Sequence, residues 1–381
     1  MRANVRRLVV LGFSFLVTAG GGLAQSAPNP PTPPTNVQPA GVEPTLAFGG
    51  LIQAQLEAGD RGDSRWANGN DRFLLRRARL NGTGRFLQDF DFRVEIDLAG
   101  TLANTTGLRA QLTDGYINWN RYSMANVRVG QFKTPFGFEQ LYSDPRLITM
   151  ERSLVNDRLT LNRQLGAQAS GDLLDKRLSY AVGEFNGNGA NNNFNDNEKF
   201  ALVGRLSGIP WQGEVAGQKA SWSLGADAFG SEDTGLALPD LGLDSTPATK
   251  DLDNLFTGKR RGSGFDSQVH AGPLDFWVEY LATRFEPTDR LPFASFNASG
   301  WYAQASWIFC GGHLQAVAKA ESFDPDDRVS GDAVTTQTYG LNYLIKGHDL
   351  KLMLDYLRTD LGSNNPLPRQ QKLLARLQVI F

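Results

Sequence analysis

The chain is poor in the residues on which most enzyme and metal chemistry is built. Cys310 is its only cysteine, which excludes a disulfide framework and a cysteine metal cluster. His270, His313 and His348 are the only histidines, and they stand far apart without metal-ligand spacing. No serine lies in a motif that would give it a base and an orienting group. The stretch "GNGANNNFNDNE" offers oxygens to a hard cation but reads first as a loop tip. We therefore expect no metal, no cofactor and no enzymatic activity. Charge of one sign is also missing: 38 Lys and Arg stand against 40 Asp and Glu. Such a balance gives no field for nucleic acid, which is not expected as a partner. Beyond residue 45 no apolar run approaches the roughly 20 residues of a spanning helix, and amphipathic helical patterns are scarce.

The N-terminus does carry an apolar run. Basic "MRANVRR" precedes "LVVLGFSFLV", and the small residues of "TAGGGLA" precede an expected cut after Ala24. This is the pattern of a cleaved secretory signal peptide over residues 1–24. No cysteine follows to carry a lipid. Losing Arg2, Arg6 and Arg7 takes the formal charge from −2 to −5, so the exported chain is mildly acidic. Residues 25–44, "QSAPNPPTPPTNVQPAGVEP", are rich in proline and read as a semi-rigid spacer.

From residue 45 to 381 the dominant signal is alternation with period 2. Phe92, Val94, Ile96 and Leu98 oppose Arg93, Glu95 and Asp97. Leu274, Phe276, Val278 and Tyr280 oppose Asp275 and Glu279. Leu350, Leu352, Leu354 and Tyr356 oppose Lys351 and Asp355. Such rows mark strands whose two faces meet different surroundings. A soluble sandwich buries the apolar rows between sheets. A membrane barrel turns them to lipid and the charged rows to a watery lumen. Three features favour the barrel. Charges occupy mid-strand positions, and aromatics cluster near strand ends in "GYINWNRY" and "GWYAQASW", as at a membrane interface. The chain also ends on a strand, with Leu373, Ala375, Leu377, Val379 and Phe381 on one face. A barrel must pair its last strand with its first, because an open edge in lipid leaves backbone groups unsatisfied. At roughly 21 residues per strand and turn, 337 residues make about 16 strands, enough for an aqueous channel. The fold expected is an all-β, antiparallel, up-and-down transmembrane barrel over residues 45–381.

Several stretches resemble the phosphate-selective porin O and P family of bacterial outer-membrane porins. They are "FLLRRARLNGTGRF", "VRVGQFKTPFGFEQL" with "MERSL", "ESFDPDDR", "YGLNYLIKGHDLKLMLDYLRT" and the terminal "LQVIF". The terminal Phe381 also resembles the signal read by the barrel assembly machinery. The resemblance implies a trimeric 16-stranded pore in the outer membrane, passing small anions and in some members phosphate or polyphosphate. It also implies a long constriction loop folded into the barrel. That role falls to the segment from Lys133 to Gln168, which lacks sustained alternation and contains Pro135 and Pro145.

A pore selects anions with fixed cations along its wall, and arginine suits phosphate because its planar fork donates two hydrogen bonds. Arg77 and Arg79 share a strand face and are the first expected wall cations. Arg76 has the opposite parity and would meet lipid or a neighbouring subunit unless a bulge or a rim location accommodates it. In the loop, Lys133, Arg152 and Arg158 are expected either to constrict the pore or to fix the loop by pairing, and Glu139 and Glu151 to anchor it. Glu95, Asp97, Asp275, Glu279 and Asp355 are expected to line the lumen, and some of them to screen or pair the arginines. Lys259, Arg260 and Arg261 are read as an anion-gathering funnel, with a solvated loop or lipopolysaccharide contact as alternatives. The expected function is passive diffusion of small anions. The alternatives are a non-selective diffusion porin and a non-conducting surface-binding barrel set in lipid and lipopolysaccharide.

Overall fold

From Thr45 onward the alternating rows become strands. The structure is a computed structural model and describes residues 44–381 except 64, 67–70, 101–107, 242, 244–254 and 289–293. The expected signal peptide and all of the proline-rich spacer but Pro44 lie outside the described residues.

Among the described residues sixteen antiparallel strands close a barrel, each pairing with its sequence neighbours and the last with the first. They are β1 (Thr45–Gly59), β2 (Arg72–Phe86), β3 (Phe90–Gly100), β4 (Arg109–Tyr122), β5 (Ala125–Lys133), β6 (Arg163–Leu173), β7 (Leu178–Phe185) and β8 (Ala201–Val215). The second half holds β9 (Gln218–Ala237), β10 (Leu255–Ala271), β11 (Leu274–Pro287), β12 (Phe296–Phe309), β13 (Leu314–Asp324), β14 (Val334–Lys346), β15 (Leu350–Asp360) and β16 (Arg369–Ile380). The expected count of about sixteen is met. β1 runs against β16 in unbroken register from Leu51↔Ile380 to Gly59↔Lys372. Phe381 seals the seam: its N–H donates to the Gly50 carbonyl at 3.1 Å, and its own carbonyl accepts from the Gly50 N–H at 2.8 Å. A Cβ at Gly50 would stand 2.4 Å from the Phe381 ring, so glycine is what lets the terminal ring lie there.

The faces fall as the alternation requires. In β15, Leu352, Leu354 and Tyr356 are exposed on the outer surface, while Lys351, Met353, Asp355 and Leu357 are buried within. In β11, Leu274, Phe276 and Tyr280 point out, and Trp277, Glu279, Leu281, Thr283 and Phe285 point in. Short turns such as 216–217 and 272–273 lie at one end, together with both ends of the barrel chain. The longer connections lie at the other end, which in this architecture is extracellular. Wall height varies. β5, β6 and β7 have 9, 11 and 8 residues, about the minimum for spanning, whereas β8, β9 and β10 have 15, 20 and 17.

One interior feature departs from a purely polar lumen. Phe185, Phe229, Phe256, Trp277, Leu281, Phe285, Phe296, Tyr302 and Phe323 form a buried apolar cluster within the barrel, continuous with residues of the β5–β6 connection. Period 2 alone cannot reveal it. An inward row mixes Glu279 with Trp277 and Leu281 because part of that row packs against protein rather than water.

Candidate functional site

The connection from β5 to β6 folds inward, as expected. It carries α1 (Phe138–Leu141), a 3-10 turn over Asp144–Arg146, and α2 (Leu154–Leu159). Lys133 pairs with Arg163 at its neck. Gly137 opens α1 at φ 83°, and a Cβ there would stand 2.7 Å from Thr160 Cγ2. Ser153 caps α2: its Oγ accepts from the Asn156 N–H at 3.3 Å. Phe136, Leu154, Val155 and Leu159 bury their side chains in the apolar cluster.

The far wall, from β9 to β16, receives this loop through its backbone. Wall carboxylates accept from loop N–H groups. Asp227 takes Gly137 N at 3.1 Å, and Glu279 takes Phe138 N at 2.5 Å and Glu139 N at 3.2 Å. Glu321 takes Leu154 N at 3.0 Å, and Asp355 takes Met150 N at 2.7 Å. Wall donors meet loop carbonyls in turn: Lys351 Nζ reaches Leu147 O at 2.9 Å, Asn342 Nδ2 reaches Ile148 O at 2.8 Å, and Arg376 Nη1 reaches Met150 O at 2.5 Å. An irregular segment inside a barrel has no ladder partner, so the wall must satisfy its backbone groups. Glu279 and Asp355 are 1 % exposed and bind the loop main chain, so the expected pairing with arginine falls to others of the five carboxylates. Asp275 pairs instead with His270, at 2.8 Å. Glu95 and Asp97 do pair with arginine.

The near wall, from β2 to β6, is built on arginine. A β-bulge lies opposite Gln53 and Ala54, whose partners are Arg77 and Leu75. Arg76 is the extra residue, and the bulge places it inward beside Arg77 instead of outward in lipid. Its guanidinium grips Glu151 with two bonds of 2.8 and 2.9 Å. Arg376 of β16 binds the same carboxylate. Arg79 meets Asp97 at 2.9 Å and Asp144 at 2.5 Å. Arg77 lies 3.5 Å from Asp144 and donates to Gln53 Oε1 at 2.9 Å. Asp144 also holds Arg152. Arg79 continues to Glu95, Glu95 to Arg93, and Arg93 through Asp114 to Arg163. Burial acts to raise Asp144, but Arg152, Arg77, Lys133 and Arg79 outweigh it and hold the carboxyl well below its usual range. For Glu151 burial is likewise outweighed, by Arg76 and Arg376 first.

Two connected networks result. Arg76 and Arg376 share Glu151; Arg77, Arg79, Arg93, Arg152 and Arg163 share Glu95, Asp97, Asp114 and Asp144. Among the described residues each has one cation in excess, two against one and five against four. The accessible members are Arg76 and Arg93, whose side chains are 37 % and 30 % exposed.

The remaining expected residues fall differently. Lys133 donates to the Gln140 and Tyr142 carbonyls at 2.6 and 3.1 Å, and Arg152 donates to Glu139 O at 2.8 Å and Tyr142 O at 2.9 Å. Of their two expected roles, fixing the loop is the one this geometry provides. Glu139 and Glu151 are anchors: Glu139 accepts from Ser153 N, Ser153 Oγ and Lys319. Arg158 lies half-buried in α2. The funnel is corrected. Lys259, Arg260 and Arg261 lie within β10, where alternation separates them. Arg260 turns inward and is held by Asp233 through two bonds of 2.7 Å, while Lys259 and Arg261 are exposed on the outer face. Sequence reasoning passed over Arg93, Arg163 and Arg376 as pathway residues. Their signal was a shared polar row with Glu95 or Gln378, too common a pattern to single them out.

The sequence pattern described as "Phosphate-selective porin O and P" matches residues 48–381. Porin O of Pseudomonas aeruginosa is 22% identical over 305 residues, covering 74% of this chain and 68% of that protein. Among solved structures, an anion-selective porin from Comamonas acidovorans superposes with a TM-score of 0.61 at 12% identity, covering 89% of this chain and 100% of its own. The trimer form of OmpT from Vibrio cholerae gives 0.60 at 9% identity, covering 89% and 99%. The outer-membrane channel DcaP of Acinetobacter baumannii gives 0.59 at 11% identity, covering 89% and 97%. At such identities the structural likeness speaks for the fold.

Proposed function

The chain belongs to the phosphate-selective porin O and P family, whose members reside in the bacterial outer membrane, and we propose that it is a passive channel that prefers small anions, phosphate among them. The single observation that carries the preference is the unequal use of charge inside the barrel. Carboxylates of the β9–β15 wall are buried against loop N–H groups and withdrawn from the pathway. Arginines of the opposite wall outnumber their carboxylates and keep Arg76 and Arg93 accessible. An anion crossing between loop and near wall meets a row of guanidinium groups with a residual positive field. It exchanges hydration for fork hydrogen bonds and leaves readily, because each arginine is already partly engaged. No residue in this pathway forms a bond to the solute, so no reaction is assigned.

Three further readings belong to the same proposal. Residues 1–24 export the chain, and Phe381 is read during barrel assembly. The assembly is a homotrimer joined along the low β5–β7 side, where strands are barely long enough to span and a neighbouring subunit can replace lipid. The OmpT comparison structure is a trimer form.

The test is a planar-bilayer recording in a chloride gradient with phosphate titrated in. A reversal potential on the anion side, with phosphate reducing chloride current, is expected. A value near zero, or on the cation side, makes the barrel a non-selective or cation-passing porin. Absence of any conductance makes it a surface-binding barrel.

A further inference from the structure

A second connection also enters the barrel. The β1–β2 segment brings Asp63, Arg65 and Trp66 inside, where Asp63 and Trp66 are 4 % and 3 % exposed. Arg65 uses its whole fork. Its Nε and Nη2 meet the two Asp63 oxygens at 2.9 and 2.6 Å, Nη2 also meets Glu321 of β13 at 2.6 Å, and Nη1 donates to the Arg152 carbonyl at 2.7 Å. Trp66 packs with Met150 of the constriction loop and with Met353, Leu357 and Leu374 of β15 and β16. This accounts for Leu374, the apolar residue that interrupts the polar row of the last strand. Lys372 Nζ sits 5.6 Å from the centre of the Trp66 ring.

These contacts all converge on one stretch, the returning limb of the constriction loop from Met150 to Leu154. The wall holds that limb through Asp355, Arg376 and Glu321. Arg65 and Trp66 add to that hold, through the Arg152 carbonyl and the Met150 side chain. We infer that Arg65 and Trp66 are positioning residues for the channel: together they form a clamp that fixes the returning limb of the constriction loop and thereby the pathway past it. Arg65 has a second effect because it is the cation between Asp63 and Glu321. Without it, two carboxylates lose their shared counter-charge beside the pathway and oppose anion entry. Trp66 contributes packing and a ring face for Lys372, with no charge of its own. The clamp's effect on current rests on the channel reading above, but its grip on the loop does not.

The two effects separate by substitution. Trp66→Ala removes packing without charge, so unit current should fluctuate more, with brief substates, while the reversal potential stays in place. Arg65→Lys keeps the charge but cannot span Asp63, Glu321 and the Arg152 carbonyl at once, and should behave like Trp66→Ala. Arg65→Ala should show the same fluctuation together with a reversal potential displaced toward the cation side. Resistance of the folded barrel to detergent and heat, compared across variants, excludes those that fail to assemble. Hydrogen exchange at the Met150–Leu159 amides reads the clamp directly, whether or not the barrel conducts, and faster exchange is expected in all three variants. A parent barrel without conductance would remove the channel reading and leave the exchange result standing. Unchanged exchange in Arg65→Ala and Trp66→Ala, or parent-like current in both, would overturn the clamp.

Discussion

The barrel has two interior walls with similar charges and different uses for them. On the β9–β15 side, Asp227, Glu279, Glu321 and Asp355 accept from backbone N–H groups of the constriction loop, Asp227 also meeting Arg205 and Glu321 also meeting Arg65. On the β2–β6 side, Asp97, Asp114 and Asp144 accept from arginine side chains, and the arginines exceed them. A carboxylate that meets a neutral N–H is buried by the loop it binds and withdrawn from the pathway. A carboxylate that meets a guanidinium cancels a charge while leaving the cation's edge open to the pathway. Ion preference then follows from which partner each carboxylate finds, and the net charge of the chain decides little.

The largest way to break that contrast is to release the loop from the far wall. Glu279→Leu leaves the Phe138 and Glu139 N–H groups without acceptors, at about 1–3 kcal/mol each. We expect loss of the fixed constriction, a larger unit conductance and weaker discrimination, all read in planar bilayers. Next comes the near wall. Arg76→Ala leaves Glu151 to Arg376 alone, turning a network with one extra cation into a neutral pair. Phosphate block should weaken by roughly tenfold, about 1.4 kcal/mol. Arg77→Ala and Arg79→Ala should weaken it less, since both arginines are more deeply paired to Asp144.

Acid should sharpen the comparison with a smaller effect. Asp144 and Glu151 both titrate below their ordinary values of 3.8 and 4.5. A depressed carboxyl contributes stability that is complete above its unfolded value and lost only as pH falls through the folded one. The ion pairs of Asp144 and Glu151, and their share of the selectivity read as reversal potential against pH, should therefore hold from neutrality down to about pH 4 and fail only in stronger acid. Asp144→Asn should abolish that plateau by loosening the loop tip at neutral pH. The smallest effect is expected from Lys259→Ala and Arg261→Ala, which face outward and should leave unit conductance unchanged. Arg260→Ala, which strips Asp233 of its partner inside the barrel, should move the reversal potential toward the cation side.

Much of the wall was legible because a strand's faces are fixed by position alone. Once Leu352 and Leu354 are outside, Lys351 and Asp355 have no choice but the interior. The long loop was legible for the complementary reason, since its prolines and broken alternation cannot continue a sheet; that it folds inward came from the family resemblance. Arg76 marks the limit. Its parity breaks the row, yet whether the break is a bulge depends on Gln53 and Ala54 across the seam, not on its own neighbours. The triplet Lys259–Arg260–Arg261 misled for the converse reason, because adjacency in sequence means opposite faces once a strand forms.

By itself, the sequence determined the barrel, its strand count, its closing terminal strand, the long break in alternation after the fifth strand and the arginines of the second strand. All of these rest on local period, length and turn chemistry, which a chain carries before it folds. Only the tertiary structure decided which charges are spent and which remain. Glu279 is 140 residues from the N–H it binds at Glu139, and Asp355 is 205 from Met150. Arg65 reaches Glu321 across 256. Such partners are chosen by closure of the barrel around its own loop, and no local pattern encodes a pairing that exists only when both ends of the chain have met.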